Sequence, residues 1–154
     1  MLKVGIVGCG CIFTMQATSC DHLENATLVG VCDIKKDRAD AAAKRYNVPA
    51  YYDYKDLIKP ELIDVVHICV PHYLHPIISK YALEQGVLGG LGVDVYAREP
   101  FPAEHPYTRL LGHPDLILTP HMAWGAVEAR ERCIEETAEN IRAFLRGEGR
   151  NRIV

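Results

Sequence analysis

The chain has 154 residues, 49% of them hydrophobic and 24% charged, with a net charge of −3 and a pI near 6.1. That is long enough to bury a real core as one domain, and its acidic balance gives no footing for nucleic acid or an anionic membrane as partner. No apolar run approaches the length of a membrane span, and the first residues lack the layout of a secretion signal, so a cytoplasmic protein is expected.

Residues 3–13 read KVGIVGCGCIF. Val4, Ile6 and Val7 form a short apolar run of the kind that makes a buried strand. It ends in Gly8-Cys9-Gly10, and a helical pattern begins within two residues. A strand, a glycine turn and a helix start, in that order, suit the pyrophosphate of a dinucleotide. The first glycine permits the turn, the second admits the phosphates to the backbone, and the helix N-terminus offers unpaired N–H groups and a positive dipole end. Cys11 and Ile12 complete the loop and are expected beside the cofactor. The third glycine of G-x-G-x-x-G is replaced by Phe13. Either the helix sits differently on the strand, or Phe13 points away.

A first helix is expected over residues 12–23 and a second strand over 26–32. Asp33 closes that strand, 23 residues after Gly10, near the spacing of about 20 at which an acid receives the adenine ribose. The plainer reading is that Asp33 only starts a turn before Lys35, Lys36 and Asp37. An acid here favours NAD, because its charge repels the 2′-phosphate of NADP; Lys35, Lys36 and Arg38 soften that preference. A second helix follows over 37–46, stopped by Asn47 and Pro49, then a short strand at 50–52 and a helical turn at 54–58. Residues 64–70 (DVVHICV) are almost continuously apolar, as a central parallel strand covered on both faces should be. Val70 and Pro71 end it at the edge where open α/β sheets bind ligands, and both are candidate cofactor contacts.

A helix is expected over 74–84, a fifth strand over 90–95 and a sixth over 116–119, separated by a loop carrying Pro100, Pro102, Pro106 and Pro114. The last helix runs from about 126 to 146, with Val127, Ile134, Ala138, Ile141 and Leu145 at helical spacing. This stripe would normally meet the sheet, while Phe144 and Leu145 at its far end are left in need of cover. A homodimer is one way to supply it. Strands alternating with helices give an α/β, three-layer, doubly wound parallel sheet of Rossmann type, order 3-2-1-4-5-6, in a single domain. The six cysteines, at 9, 11, 20, 32, 69 and 133, form no C-x-x-C pair and read as structural thiols, with no metal site. His67 is expected to be a hydrogen-bonded core histidine, and Trp124 to pack at the start of the last helix.

Two resemblances divide the chain. Residues 1–86 resemble the nucleotide-binding half of the glucose–fructose oxidoreductase and inositol dehydrogenase (Gfo/Idh/MocA) family, through VGIVGCG, VGVCD and IDVVHICVPHYLHPIISKYALEQG. That family continues into Glu-Lys-Pro, whose lysine takes part in catalysis; this chain reads VLGGLGVDV there. Residues 87–154 resemble the NAD-binding domain of the D-2-hydroxyacid dehydrogenases, through GGLGVDVYAREP, LILTPHMAW and EARERCIEETAENIRAFLRGE. The second resemblance implies that Asp94 meets the nicotinamide end of the cofactor. It also implies that Glu99 pairs with a histidine and that His121 donates a proton to the substrate carbonyl. The Ala/Ser-Arg-Gly motif carrying that family's substrate-gripping arginine does not occur in the sequence. Both families carry a second, substrate-binding domain, and none is expected here.

The simplest account of the seam, at Ala82-Leu83-Glu84-Gln85-Gly86, is an engineered chimera; a natural fusion or shortened paralogue fits the same text. The expected capability is binding of a nicotinamide dinucleotide, NAD favoured, without efficient catalysis. Two alternatives stand beside it. One is an NAD-dependent oxidoreductase acting on 2-hydroxy or 2-keto acids through Glu99 and His121; the other is a folded scaffold without a ligand.

Overall fold

The computed structural model describes residues 1–86 and 89–152, without the side chains of Pro106, Leu110 and Ala123. The chain divides into two compact units. One comprises Met1–Leu91 with Pro106–Leu116, the other Gly92–His105 with the chain from Ile117 onward. The expected continuity of the seam after Gly86 falls on Val87 and Leu88, outside the described residues.

In the first unit, β1 (Leu2–Val7), β2 (Ala26–Cys32), β3 (Ala50–Tyr51) and β4 (Val65–Ile68) form one parallel sheet in the order β3-β2-β1-β4. The period of two in β1 assigns its faces. Val4 and Ile6 point to the side covered by α1 (Phe13–Asp21) and α2 (Lys36–Tyr46), where Ala17, Cys20 and Ala42 are buried with them. Val7 points to the other side, against Leu57 of α3 (Tyr54–Leu57), Ile58, Ile63, and Ile78 and Ala82 of α4 (His75–Glu84). Helices therefore cover both faces, which is the doubly wound arrangement. Gly5 and Gly30 are cross-strand partners at the centre. A Cβ on either would come within 3.2 Å of the Leu57 side chain, so the paired glycines make the hollow that Leu57 fills.

Phe13 does not point away. It is buried together with Ile6, Ala17, Val31 and Ala42, and its ring meets Tyr46 edge-on at 5.6 Å. Where a glycine would bring helix and strand together, this chain wedges an aromatic ring between α1, α2 and the sheet. The ring is part of the core.

Among the described residues the sheet does not extend to six strands. It ends at β4, and β5 (Leu91–Val93) pairs with β6 (Leu116–Leu118) in a separate two-stranded sheet. The text around β5 is Gly89-Gly90-Leu91-Gly92-Val93, and glycine at this density weakens a strand by entropy and by the lack of side chains to pack. Two strands of three residues are what remains.

In the second unit α5 (Val127–Leu145) is the dominant element. Its apolar stripe is exposed. Val127, Ile134, Ile141, Phe144 and Leu145 are 57% to 78% exposed, and the helix buries Ala143 instead. The chain after the helix turns back on the opposite side, where Arg150 donates to Glu136 and Asn140. No helix among the described residues is long and apolar enough to cross a membrane.

If Phe13 is a core residue, Phe13→Ala should cost about 3–5 kcal/mol of unfolding free energy, as large aromatic deletions do. Urea denaturation followed by circular dichroism measures it; a loss below about 1 kcal/mol would place the ring at the surface.

Candidate functional site

Each unit carries one cluster of the expected residues. In the first, the C-terminal ends of β1, β2 and β4 converge. Gly8 leaves β1 with φ +103°, donating its N–H to Cys32 O at 2.7 Å, while Cys69 N donates to Val7 O at 2.7 Å. A Cβ on Gly8 would lie 2.5 Å from the Cys69 carbonyl oxygen. Only glycine combines that dihedral with that approach. Gly10 differs, since a Cβ there would meet nothing within 4 Å. The protein's own packing does not require a glycine at position 10; open space lies above the loop. Beside it α1 begins with no side-chain cap and no acid in its first turn; Phe13 N donates to Gly10 O at 3.2 Å, and no carboxylate offsets the positive end of the helix dipole there.

Asp33 starts the turn, as its plainer reading has it, and also reaches back to the glycine loop. One carboxylate oxygen accepts from Cys9 N at 2.9 Å and the other from Lys35 N at 2.8 Å. The first bond ties the glycine loop to the end of β2, and the second makes the turn into α2. A carboxylate has about four lone-pair sites, so two backbone donors leave capacity for hydroxyl donors. Cys11 and Ile12 are exposed at the loop surface. At the end of β4, Val70 is half-buried and its carbonyl accepts from His75 Nε2 at 2.9 Å; Pro71 is exposed. This contact gives His75 a local role that sequence reading left open. His67, on β4, is not the satisfied core histidine expected: its buried Nδ1 has no hydrogen-bond partner among the described residues, and burial pushes its pKa down.

The cysteines are all free. Burial, with the Asp33 carboxylate second, pushes the Cys9 thiol up to about 12 from its ordinary 9.0. Burial likewise drives Cys32 up to about 12 and Cys69 to about 11, so all three remain protonated thiols.

In the second unit the residues around His121 form a network of their own. His121 Nδ1 donates to Glu99 Oε2 at 2.7 Å, and Glu99 Oε1 accepts from Tyr96 N at 2.8 Å. The carboxylate thus fixes the imidazole tautomer. His121 has φ +53°, a conformation rare for a non-glycine residue. It is bracketed on all sides. Its N–H donates to Thr119 O at 3.0 Å, and its carbonyl accepts from Trp124 Nε1 at 2.6 Å. Asp94 Oδ1 accepts from the Thr119 hydroxyl at 2.5 Å and from Met122 N at 2.9 Å. Asp94 therefore holds the turn that presents His121, an anchoring task not legible in the sequence. Trp124 is 65% exposed rather than packed, and its indole serves the His121 carbonyl.

The parallel sheet wound by helices on both faces, with a glycine turn and an acid at its C-terminal edge, defines a Rossmann-type nucleotide-binding domain. The family model described as oxidoreductase family, NAD-binding Rossmann fold (Gfo/Idh/MocA) matches residues 2–90, more than half of the sequence, and the chain belongs to that family. A second model, the NAD-binding domain of D-isomer specific 2-hydroxyacid dehydrogenases, matches residues 79–123. The two matches overlap across the end of α4 and the seam. They divide the site residues: Gly8, Gly10, Asp33, Val70 and Pro71 fall in the first, Asp94, Glu99 and His121 in the second.

Among curated proteins, a glyoxylate reductase of Thermofilum pendens is 40% identical over 67 residues, covering 44% of this chain and 19% of that protein. A glycerate dehydrogenase of Methylorubrum extorquens is 26% identical over 162 residues, covering 96% of this chain and 51% of that protein. The chain thus spans between a fifth and a half of the length of these relatives. Among solved structures, an NAD-binding protein from Listeria innocua superposes with a TM-score of 0.52 at 29% identity, over 55% of this chain and 25% of that one.

The burial pattern predicts a thiol count. Titration with a thiol-reactive disulfide at pH 8 should show two fast groups, the exposed Cys11 and Cys133, and four slow ones. Because the folded-state pKa values of Cys9, Cys32 and Cys69 lie above the ordinary 9.0, unfolding releases protons above that pH. Their contribution to stability is whole below pH 9 and is lost as the pH rises to 11–12. Six equally fast thiols in the native protein would contradict the burial.

Proposed function

We propose that the chain binds NAD, with the pyrophosphate on the Gly8–Gly10 loop and the start of α1, and the adenine ribose at Asp33. The observation that carries this reading is the contrast between the two glycines. Gly8 is required by its own backbone and by Cys69, whereas Gly10 opens onto empty space beside an uncapped helix N-terminus. A phosphate fills that space with an anion that the helix end attracts. Cys11 and Ile12 would border the pyrophosphate, and Val70 and Pro71 the far side of the cofactor. NAD is preferred over NADP because the Asp33 carboxylate already faces the loop and would repel a 2′-phosphate. The two family matches, and the NAD-binding protein among the structural relatives, support the same cofactor.

The chain joins two half-domains of different dehydrogenase families, a chimera whose seam follows α4. Its turnover is expected to be poor. The Glu99–His121 hydrogen bond favours a second reading, an NAD-dependent oxidoreductase of 2-hydroxy or 2-keto acids. A proton donor accelerates hydride transfer only when a substrate is held within hydrogen-bond reach, and such orientation is worth roughly 7–11 kcal/mol. The sequence holds neither the Glu-Lys-Pro lysine nor the Ala/Ser-Arg-Gly arginine that the two families use.

Titrating NADH and following its fluorescence should show saturable binding. Gly10→Val should leave the unfolding transition unchanged and weaken binding at least about tenfold, by crowding the phosphates. Asp33→Asn should narrow the preference for NAD over NADP. No binding by the parent protein would leave the ligand-free scaffold; unchanged binding in Gly10→Val would move the pyrophosphate elsewhere. With glyoxylate or hydroxypyruvate, NADH oxidation should stay at background. Steady turnover abolished by His121→Ala would instead establish the oxidoreductase.

A further inference from the structure

The exposed stripe of α5 has an internal order that the NAD reading does not use. Val127, Ile134 and Ile141 recur every seven residues, with Ala138 and Leu145 four residues after the last two, so one seam runs the length of the helix. Charge is segregated along one edge of that seam. Glu128, Glu131 and Glu135 follow it through the first half of the helix, and Arg142 and Arg146 follow the same edge through the last half and its C-terminal cap. Along the other edge the first half carries a groove of about 370 Å³ lined by Trp124, Ala129, Arg130, Cys133 and Ile134. The last half of that edge carries the exposed ring of Phe144.

We infer that α5 pairs antiparallel with α5 of a second copy of this chain, about a twofold axis near Ala138. A perpendicular twofold brings like edges of the two helices together with opposite polarity, as an isologous contact requires. On the charged edge Glu135 then faces Arg142 of the second copy, and Glu131 faces Arg146. On the other edge Phe144 of each copy faces the groove beside Trp124 and Cys133 of its mate. Ala138, the smallest residue of the seam, lies where the two helices cross and permits close approach. A parallel pairing would instead lay the charged edge of each helix against the groove edge of its mate, pairing neither the charges nor the groove with a ring. One symmetry operation satisfies the charged edge, the groove and the apolar seam together. The arginines' partners in their own chain, Glu139 for Arg142 and Glu148 for Arg146, make exposed pairs, which interact weakly and can be shared.

The test uses the whole chain and two charge variants of the same edge. One is Glu131→Arg with Glu135→Arg, making the four facing positions basic; the other is Arg142→Glu with Arg146→Glu, making them acidic. Sedimentation equilibrium should find the parent protein dimeric, and each variant alone should dissociate with a constant raised at least about tenfold by like-charge contacts. Mixing the two variants should restore a heterodimer, since every facing pair is again of opposite sign, and raising the salt to about 1 M should weaken that recovery. Circular dichroism of each variant checks that α5 stays folded, and recovery on mixing shows that each remains competent. A monomeric parent would overturn the inference and assign the seam to this chain's own sheet or to a different protein. Dimers that persist in both variants alone would also overturn it, by placing the contact on another surface.

Discussion

The close approach of Gly8 to the carbonyl of Cys69 is the constraint on which the first unit depends. At φ +103° the chain leaves β1 in a direction that only glycine tolerates, and the space a Cβ would occupy is already filled by the end of β4. The same residue donates to the last carbonyl of β2. Three parallel strands are therefore brought to a common edge by one backbone position, and Asp33 fastens the following loop to that edge through Cys9 N. The thiols of Cys9, Cys32 and Cys69, near the same strand ends, stay protonated because burial opposes the thiolate, so they add no negative charge there.

Local patterns made the first half of the chain legible. The apolar run of β1, the spacing from Gly10 to Asp33 and the continuous run of β4 are each contained in a few residues, and each element lies where its pattern put it. Phe13 was less legible. Its place in a glycine motif left open a helix seated differently or a ring pointing away; the ring is large enough to fill the gap between α1, α2 and the sheet, and packing decides. The extension to six strands failed for a related reason. Strand pairing is non-local, and periodicity in residues 90–95 and 116–119 says nothing about which edge they join; the glycines around β5 leave only three residues to pair.

The second unit shows what inherited positions do and do not carry. Glu99 and His121 were paired from resemblance, and the structure gives that pair a 2.7 Å hydrogen bond. Asp94 was expected to meet the cofactor, and in the structure its carboxylate oxygen also holds Thr119 and Met122 on either side of the left-handed His121. An acid that anchors a turn and an acid that touches a ligand look alike in sequence, because both need only be polar at the end of a strand. The stripe of α5 was legible as a pattern, but whether a stripe is covered by its own chain is a property of the fold.

The central claim is that the mouth of β1, β2 and β4 receives a dinucleotide. The most direct measurement is a titration of the ¹⁵N-labelled protein with NAD, followed amide by amide. The account predicts that the largest shifts cluster at Gly8, Cys9, Gly10, Cys11, Ile12 and Asp33, saturate together, and leave the buried amides of Ile58 and Ile63 unmoved. Shifts centred on other residues, or none at NAD concentrations that saturate ordinary dinucleotide domains, would contradict it.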